Sequence, residues 1–284
     1  TKNKASITNS VLASGDWHRF YIEKSGVYKI SLNFLKELGL NLNGIDPKKI
    51  KIYGNGGKML PLANDTFYQA DLAENPIQIQ GESDGVFNND DYILFYGEGI
   101  YNWNNESQTN LNLYDSKSYY YITAEGDNGK RMLNMQQPAV PSTLNISTYD
   151  DYQFHEVDLT NIAQVGRQWV GESFDINQDQ EFSFDFPNID SSVPVKLNAS
   201  LASAAYTPTS FKIMVNGLDI GNVPFSALNT NSDIQYFNGA LPNNTTFAGS
   251  SNIKIKLSYN NNGVPGSKGF LDYIQLKAKS KLQG

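Results

Sequence analysis

The sequence predicts a mainly β protein, a small α+β domain followed by an antiparallel β-sandwich of jelly-roll type. Three observations predict it. Short runs of Val, Ile, Tyr and Phe alternate with polar residues, which is the two-residue period of half-buried strands. Asn- and Gly-rich turns separate these runs. A break at 136–143, containing Pro138 and Pro141 and no apolar periodicity, divides a mixed pattern from one of strands alone. The 284 residues suffice for two cores, placing the domains at 1–137 and 145–284 with 138–144 as the linker.

The first elements read as a hairpin. Trp17 to Ile22 is rich in strand formers, Lys24-Ser25-Gly26 is a turn, and Val27 to Ile30 alternates apolar with polar. A short helix follows over 31–38, with Ser31 as N-cap, Leu32, Leu35 and Leu38 on one face, and Gly39 as stop. Pro47 leads into a strand at 49–53, which breaks at Gly54-Asn55-Gly56-Gly57. Those glycines lack the spacing of a phosphate loop and open no helix, so they read as a hairpin turn. Strands at 77–80, 92–96 and 119–123 complete a sheet carrying one or two helices.

In the second domain, Val195 to Leu201 and Ile253 to Leu257 alternate strictly, giving strands with one wet face. Shorter strands are expected at 153–159, 169–174, 181–186, 211–215, 234–237 and 270–276. About eight strands joined by loops suit a sandwich or jelly roll.

Charge and composition exclude several functions. The net charge is −7 and no basic stripe is present, which opposes nucleic acid as a partner. Lys277, Lys279 and Lys281 read as a solvated exit segment. No apolar run approaches the ~20 residues that span a bilayer. No leader sequence is recognisable, so the chain is expected to be cytoplasmic or a mature exported product. With no cysteine, the chain has no disulfide, no thiolate nucleophile and no cysteine-ligated zinc.

The candidate sites are few. Asp84, Asn88 and Asp90 offer oxygens for calcium, although the spacing is not that of an EF-hand loop and the same residues cap turns without an ion. Tyr101 and Trp103, with Tyr119 and Tyr120, are candidates for stacking on sugars or contacting a partner, against the alternative of ordinary core residues. His18 and His155 sit in predicted strands beside Phe20 and Phe154, and no nucleophile elbow accompanies them. Asp272 shares the even-numbered face of its strand with Phe270, Ile274 and Leu276, which aims it inward. There it needs Lys or backbone donors from a neighbouring strand.

Several segments, in order along the chain, resemble the amino-terminal region of the PorU-type sortases, the gingipain-like cysteine peptidases of the type IX secretion system. They are Gly15-Asp16-Trp17 with 20–22 and 25–30, Ile52 to Gly57 with Leu60-Pro61, and the acidic stretch 81–91 leading to Phe95-Tyr96-Gly97. Asn112-Leu113-Tyr114 with Tyr119-Tyr120, and Gly269 to Ile274, complete the set. The resemblance implies an exported region at the outer membrane or cell surface, lying ahead of a peptidase that removes carboxy-terminal sorting domains and attaches cargo to surface lipopolysaccharide. It implies as partners the downstream peptidase domain of the same polypeptide, an outer-membrane barrel protein and secreted cargo. The family's catalytic cysteine and histidine lie beyond the matched region, so no catalytic residue is expected here. The rival expectation is a stand-alone carbohydrate-binding β-sandwich module. A complete enzyme using Asp, Ser or His is the least favoured reading.

Overall fold

The structure, a computed structural model, describes residues 9–137, 139–232 and 234–283, and the side chains of 240–243 are outside the description. It divides into two compact units, Thr1–Ala139 and Val140–Gly284. Pro138, in the expected linker, lies outside the described residues.

The strands of the first unit are β1 (His18–Ile22), β2 (Gly26–Ser31), β3 (Lys51–Tyr53), β4 (Glu74–Asn75), β5 (Ile77–Gln80), β6 (Tyr92–Gly97) and β7 (Ser118–Thr123). They form two antiparallel sheets, ordered β1-β7-β3-β4 and β2-β6-β5. The expected opening hairpin does not form. Phe20 of β1 lies opposite Tyr120, and Tyr28 of β2 lies opposite Phe95, so the strands flanking the turn at 24–26 enter different sheets. The aromatic side chains account for this: Phe20, Tyr28 and Tyr120 surround the buried Phe95, with ring centres 5.7, 5.8 and 5.1 Å from it. An isolated two-stranded ribbon would leave such rings wet, whereas two facing sheets bury them.

The helix α1 (Leu32–Glu37) begins as its sequence dictates, with the Phe34 N–H donating to Ser31 Oγ. It buries Leu35 fully and sets Phe34 edge-on to Phe20. Arg131 ties the periphery together. Its guanidinium donates to Glu82 Oε2 at 2.7 Å and to the carbonyls of Pro47, Lys48 and Ile50. Residues 54–57 are not a hairpin turn, because β3 pairs with β4 across a long irregular connection.

The second unit holds β8 (Thr148–Glu156), β9 (Ser173–Phe174), β10 (Asp179–Asp185), β11 (Val195–Ala204), β12 (Thr209–Val215), β13 (Leu218–Phe225), β14 (Asn238–Phe247), β15 (Asn252–Asn260) and β16 (Lys268–Lys281). A sheet ordered β10-β15-β12-β13 faces one ordered β14-β11-β16-β8, with β9 also paired to β16. Their inner faces share one core, in which Phe184, Phe211, Ile213 and Ile255 meet Leu197, Leu201, Ile274 and Leu276. This is the expected antiparallel sandwich.

Three expectations change here. Lys277, Lys279 and Lys281 are no exit segment but the wet face of β16, which runs through them while Ala278 and Ser280 are buried. The segment 234–237 is not a strand, and β14 starts after it. β13, where no strand is expected, and β14, which takes the place of the strand expected at 234–237, are edge strands carrying Pro224 and Pro242, tolerated there because an edge leaves amide positions unpaired.

Candidate functional site

The acidic loop before β6 is held by its own backbone. Asp84 Oδ1 accepts from the Val86 N–H and Asn88 Oδ1 from the Asp90 N–H, both Asx turns of 3.0 Å. The buried Asp91 closes the loop, its Oδ2 accepting from the Asn88 N–H at 2.7 Å. Gly81 is required beside it: φ there is +96°, and a Cβ would lie 1.7 Å from Asp91 Oδ1. Asp90 is exposed. Among the described residues, no group of three or more His, Cys, Asp or Glu is placed to hold a metal ion.

Of the aromatic candidates, Tyr120 is core, fully buried against Phe95 and Phe20. Its hydroxyl accepts from the Glu98 N–H at 2.7 Å and donates to the Glu98 carbonyl at 3.1 Å. Trp103 is half-buried and its Nε1–H donates to Asn105 Oδ1, while Tyr101 is exposed nearby.

Tyr119 joins a group that residue order alone did not assemble. With Phe20, Ile22, Tyr120 and Ile122 turned inward, the alternate residues of β1, β7 and β3 face outward. Tyr21 lies opposite Tyr119, with ring centres 6.2 Å apart. Arg19 sits over the Tyr119 ring at 4.8 Å and Lys117 over the Tyr21 ring at 3.9 Å. Tyr53 follows on β3, and Trp17 packs edge-on against it at 5.2 Å. The period-two spacing of Trp17, Arg19 and Tyr21 carried the signal, but which strand lay alongside was not in it.

Both histidines are structural fasteners. His18 Nδ1 lies 2.9 Å from the Leu38 carbonyl, fixing the end of α1 to β1, and its Nε2 lies 3.2 Å from Asp16. His155 Nε2 is 2.7 Å from Glu172 Oε1. Burial works against ionising Glu172, but the bond from His155, a backbone hydrogen bond and the attraction of His155 together outweigh it and hold the carboxyl below its usual range.

Asp272 corrects the sequence reading. The register of β11 and β16 shifts at Ser200 and Leu201, so the core receives Leu271, Ile274 and Leu276 while Asp272 becomes the bulged residue. It takes a hydrogen bond from Ser200 Oγ rather than from a lysine. Burial pushes its carboxyl up to about 7; the Ser200 bond opposes this, and the charges of Glu156 and Asp158 add to it.

No family model matches the chain, and no curated protein matches it in sequence. Among solved structures, dimeric latent PorU from Porphyromonas gingivalis matches 96% of this chain at 23% identity, with a TM-score of 0.76. The chain has the fold of that part of PorU. It spans 25% of the PorU chain. The carbohydrate-binding module CBM36 in complex with calcium and xylotriose matches 46% of this chain and 99% of its own at 14% identity, with a TM-score of 0.27. PNGF-II matches 94% and 56% at 11% identity, with a TM-score of 0.29. Neither superposes closely enough for a shared fold to be argued. Among the described residues, no helix is long and apolar enough to cross a membrane.

Proposed function

We propose that this chain is the non-catalytic amino-terminal region of a type IX secretion sortase of the PorU kind, and that it positions or docks a downstream gingipain-like cysteine peptidase. That peptidase would remove carboxy-terminal sorting domains from secreted cargo and attach the cargo to surface lipopolysaccharide. In this reading the nucleophile belongs to the peptidase, since this chain contains no thiol. The setting is the outer membrane or cell surface of an exported protein, with an outer-membrane barrel protein and cargo as partners.

One observation carries the reading. Over 96% of its length the chain shares the fold of a region making up a quarter of PorU. The segments that resemble the family support it, because they are positions the fold depends on. Gly54 abuts Tyr120, Phe95 centres the first core, and β16 runs through the middle of the sandwich sheet.

The test is the size of the native polypeptide. An antibody to this chain, used on fractionated cells, should detect a much larger outer-membrane species whose peptides include cysteine and histidine beyond residue 284. A species of this chain's own size, with no further sequence, overturns the reading.

A further inference from the structure

Two of the exposed sheet faces that carry lysines treat them differently. On the outer face of β10-β15-β12, each paired lysine faces a carboxylate: Lys254 with Glu181 at 3.2 Å, Lys256 with Asp179 at 2.9 Å and Lys212 with Asp219 at 3.1 Å. That is a solvated face whose charges are already neutralised. On the outer face of β1-β7-β3, Arg19 and Lys117 lie on tyrosine rings instead. Among the described residues, neither side-chain cation has a carboxylate oxygen within 4 Å, although Asp115 Oδ1 accepts from the Lys117 backbone N–H at 3.0 Å and the chain carries 29 Asp and Glu against 22 Lys and Arg. The carboxylates around this face are engaged with backbone: Glu74 on β4 accepts from the Lys130 N–H and the Tyr53 hydroxyl, Glu125 from the Asp16 N–H, and Asp115 from the Lys117 N–H.

We infer that the outer face of the β1-β7-β3 sheet is a docking surface for an acidic polypeptide, which places carboxylates on Arg19 and Lys117 and apolar groups among Tyr21, Tyr119, Tyr53 and Trp17. Tyr, Trp and Arg are the residues that supply most contact energy at protein interfaces, because rigid rings lose little entropy on binding. A guanidinium stacked on a ring is already oriented, and its in-plane N–H groups remain free to take a carboxylate. Tyr21 is half exposed and its ring is partly covered by the Lys117 ammonium, an arrangement that suits a carboxylate arriving at the cation better than a sugar ring seeking an open aromatic face. The chain's net negative charge does not prevent this, since fields fade over about 8 Å at physiological salt and only the local cations act.

The inference deepens the docking role proposed above but rests on this face alone. The probe is a glutamate–tyrosine copolymer, measured by interferometry on the immobilised chain. Saturable binding that weakens with salt is expected. It should fall about tenfold or more in Arg19→Ala/Lys117→Ala, the worth of one or two charge-assisted contacts, and stay unchanged in Lys254→Ala/Lys256→Ala. If the alanine variant unfolds, carbodiimide cross-linking of the wild-type chain to the copolymer should mark Lys117 rather than Lys254 or Lys256. Absence of binding, binding insensitive to Arg19 and Lys117, or equal binding by polygalacturonate through the same residues overturns the inference. So does self-association of the chain that is lost in the double variant, which would make the occupant a second copy. None of these results bears on the larger-polypeptide reading, which the size of the native protein tests separately.

Discussion

Ser200 Oγ donates a 2.9 Å hydrogen bond to Asp272 Oδ2 at the point where β11 and β16 slip register. The carboxyl held there is raised from 3.8 to about 7, chiefly by burial. The folded chain thus keeps this proton more tightly than the unfolded chain does. The resulting stability is fully present below pH 3.8 and is lost as pH rises through about 7. Asp272→Asn abolishes the titration and still offers an acceptor to Ser200. Each pKa unit corresponds to about 1.4 kcal/mol, so the variant should gain on the order of 2–4 kcal/mol over the wild type between pH 5 and pH 8. Denaturant unfolding of both proteins across that range provides the measurement. Parallel stability curves would mean that Asp272 ionises normally and that the burial argument fails.

Gly54 and Tyr120 should behave as a coupled pair. A Cβ at residue 54 would lie 2.4 Å from the Tyr120 ring, so Gly54→Ala forces the ring out of its place against Phe95. The expected cost is about 1–3 kcal/mol for overpacking. Tyr120→Phe should cost about 1–2 kcal/mol, since it strands the Glu98 backbone groups that bracket the hydroxyl. In a Tyr120→Leu background the alanine at 54 should become nearly harmless. A double-mutant cycle on the melting of the first unit measures this, and strict additivity would count against direct contact.

The acidic loop is expected to keep its shape without an ion, because Asp91 and the two Asx turns satisfy the backbone N–H groups of Asn88, Val86 and Asp90. Chelation with EDTA should leave the melting of the first unit unchanged. Asp91→Ala should lower its stability by about 1–3 kcal/mol through loss of a buried acceptor. A drop on chelation that calcium reverses, and that Asp90→Asn abolishes, would instead place a calcium ion on this loop.

Much of the local structure was legible in the residues. Ile77–Gln80 is the strand its alternation announces, and Ser31 caps α1 as its hydroxyl before Leu32 suggests. The strict alternation of 195–201 and 253–257 put Leu197 and Ile255 in one core, because a strand's side chains must alternate faces. The candidate sites were less legible. Tyr119 and Tyr120 are adjacent letters of one type, yet one is fully buried and the other carries a guanidinium on its outer face.

The sequence by itself determined a cysteine-free, β-rich chain with a proline-containing break at 136–143 and many of its strand segments. Tertiary structure alone decided which strands pair, where β16 bulges and which side chains meet across strands. Alternation is a local property, fixed by the geometry of successive residues. Pairing and register depend on burial between segments as far apart as Phe20 and Tyr120, or Ser200 and Asp272, and a two-residue period carries no address for the partner.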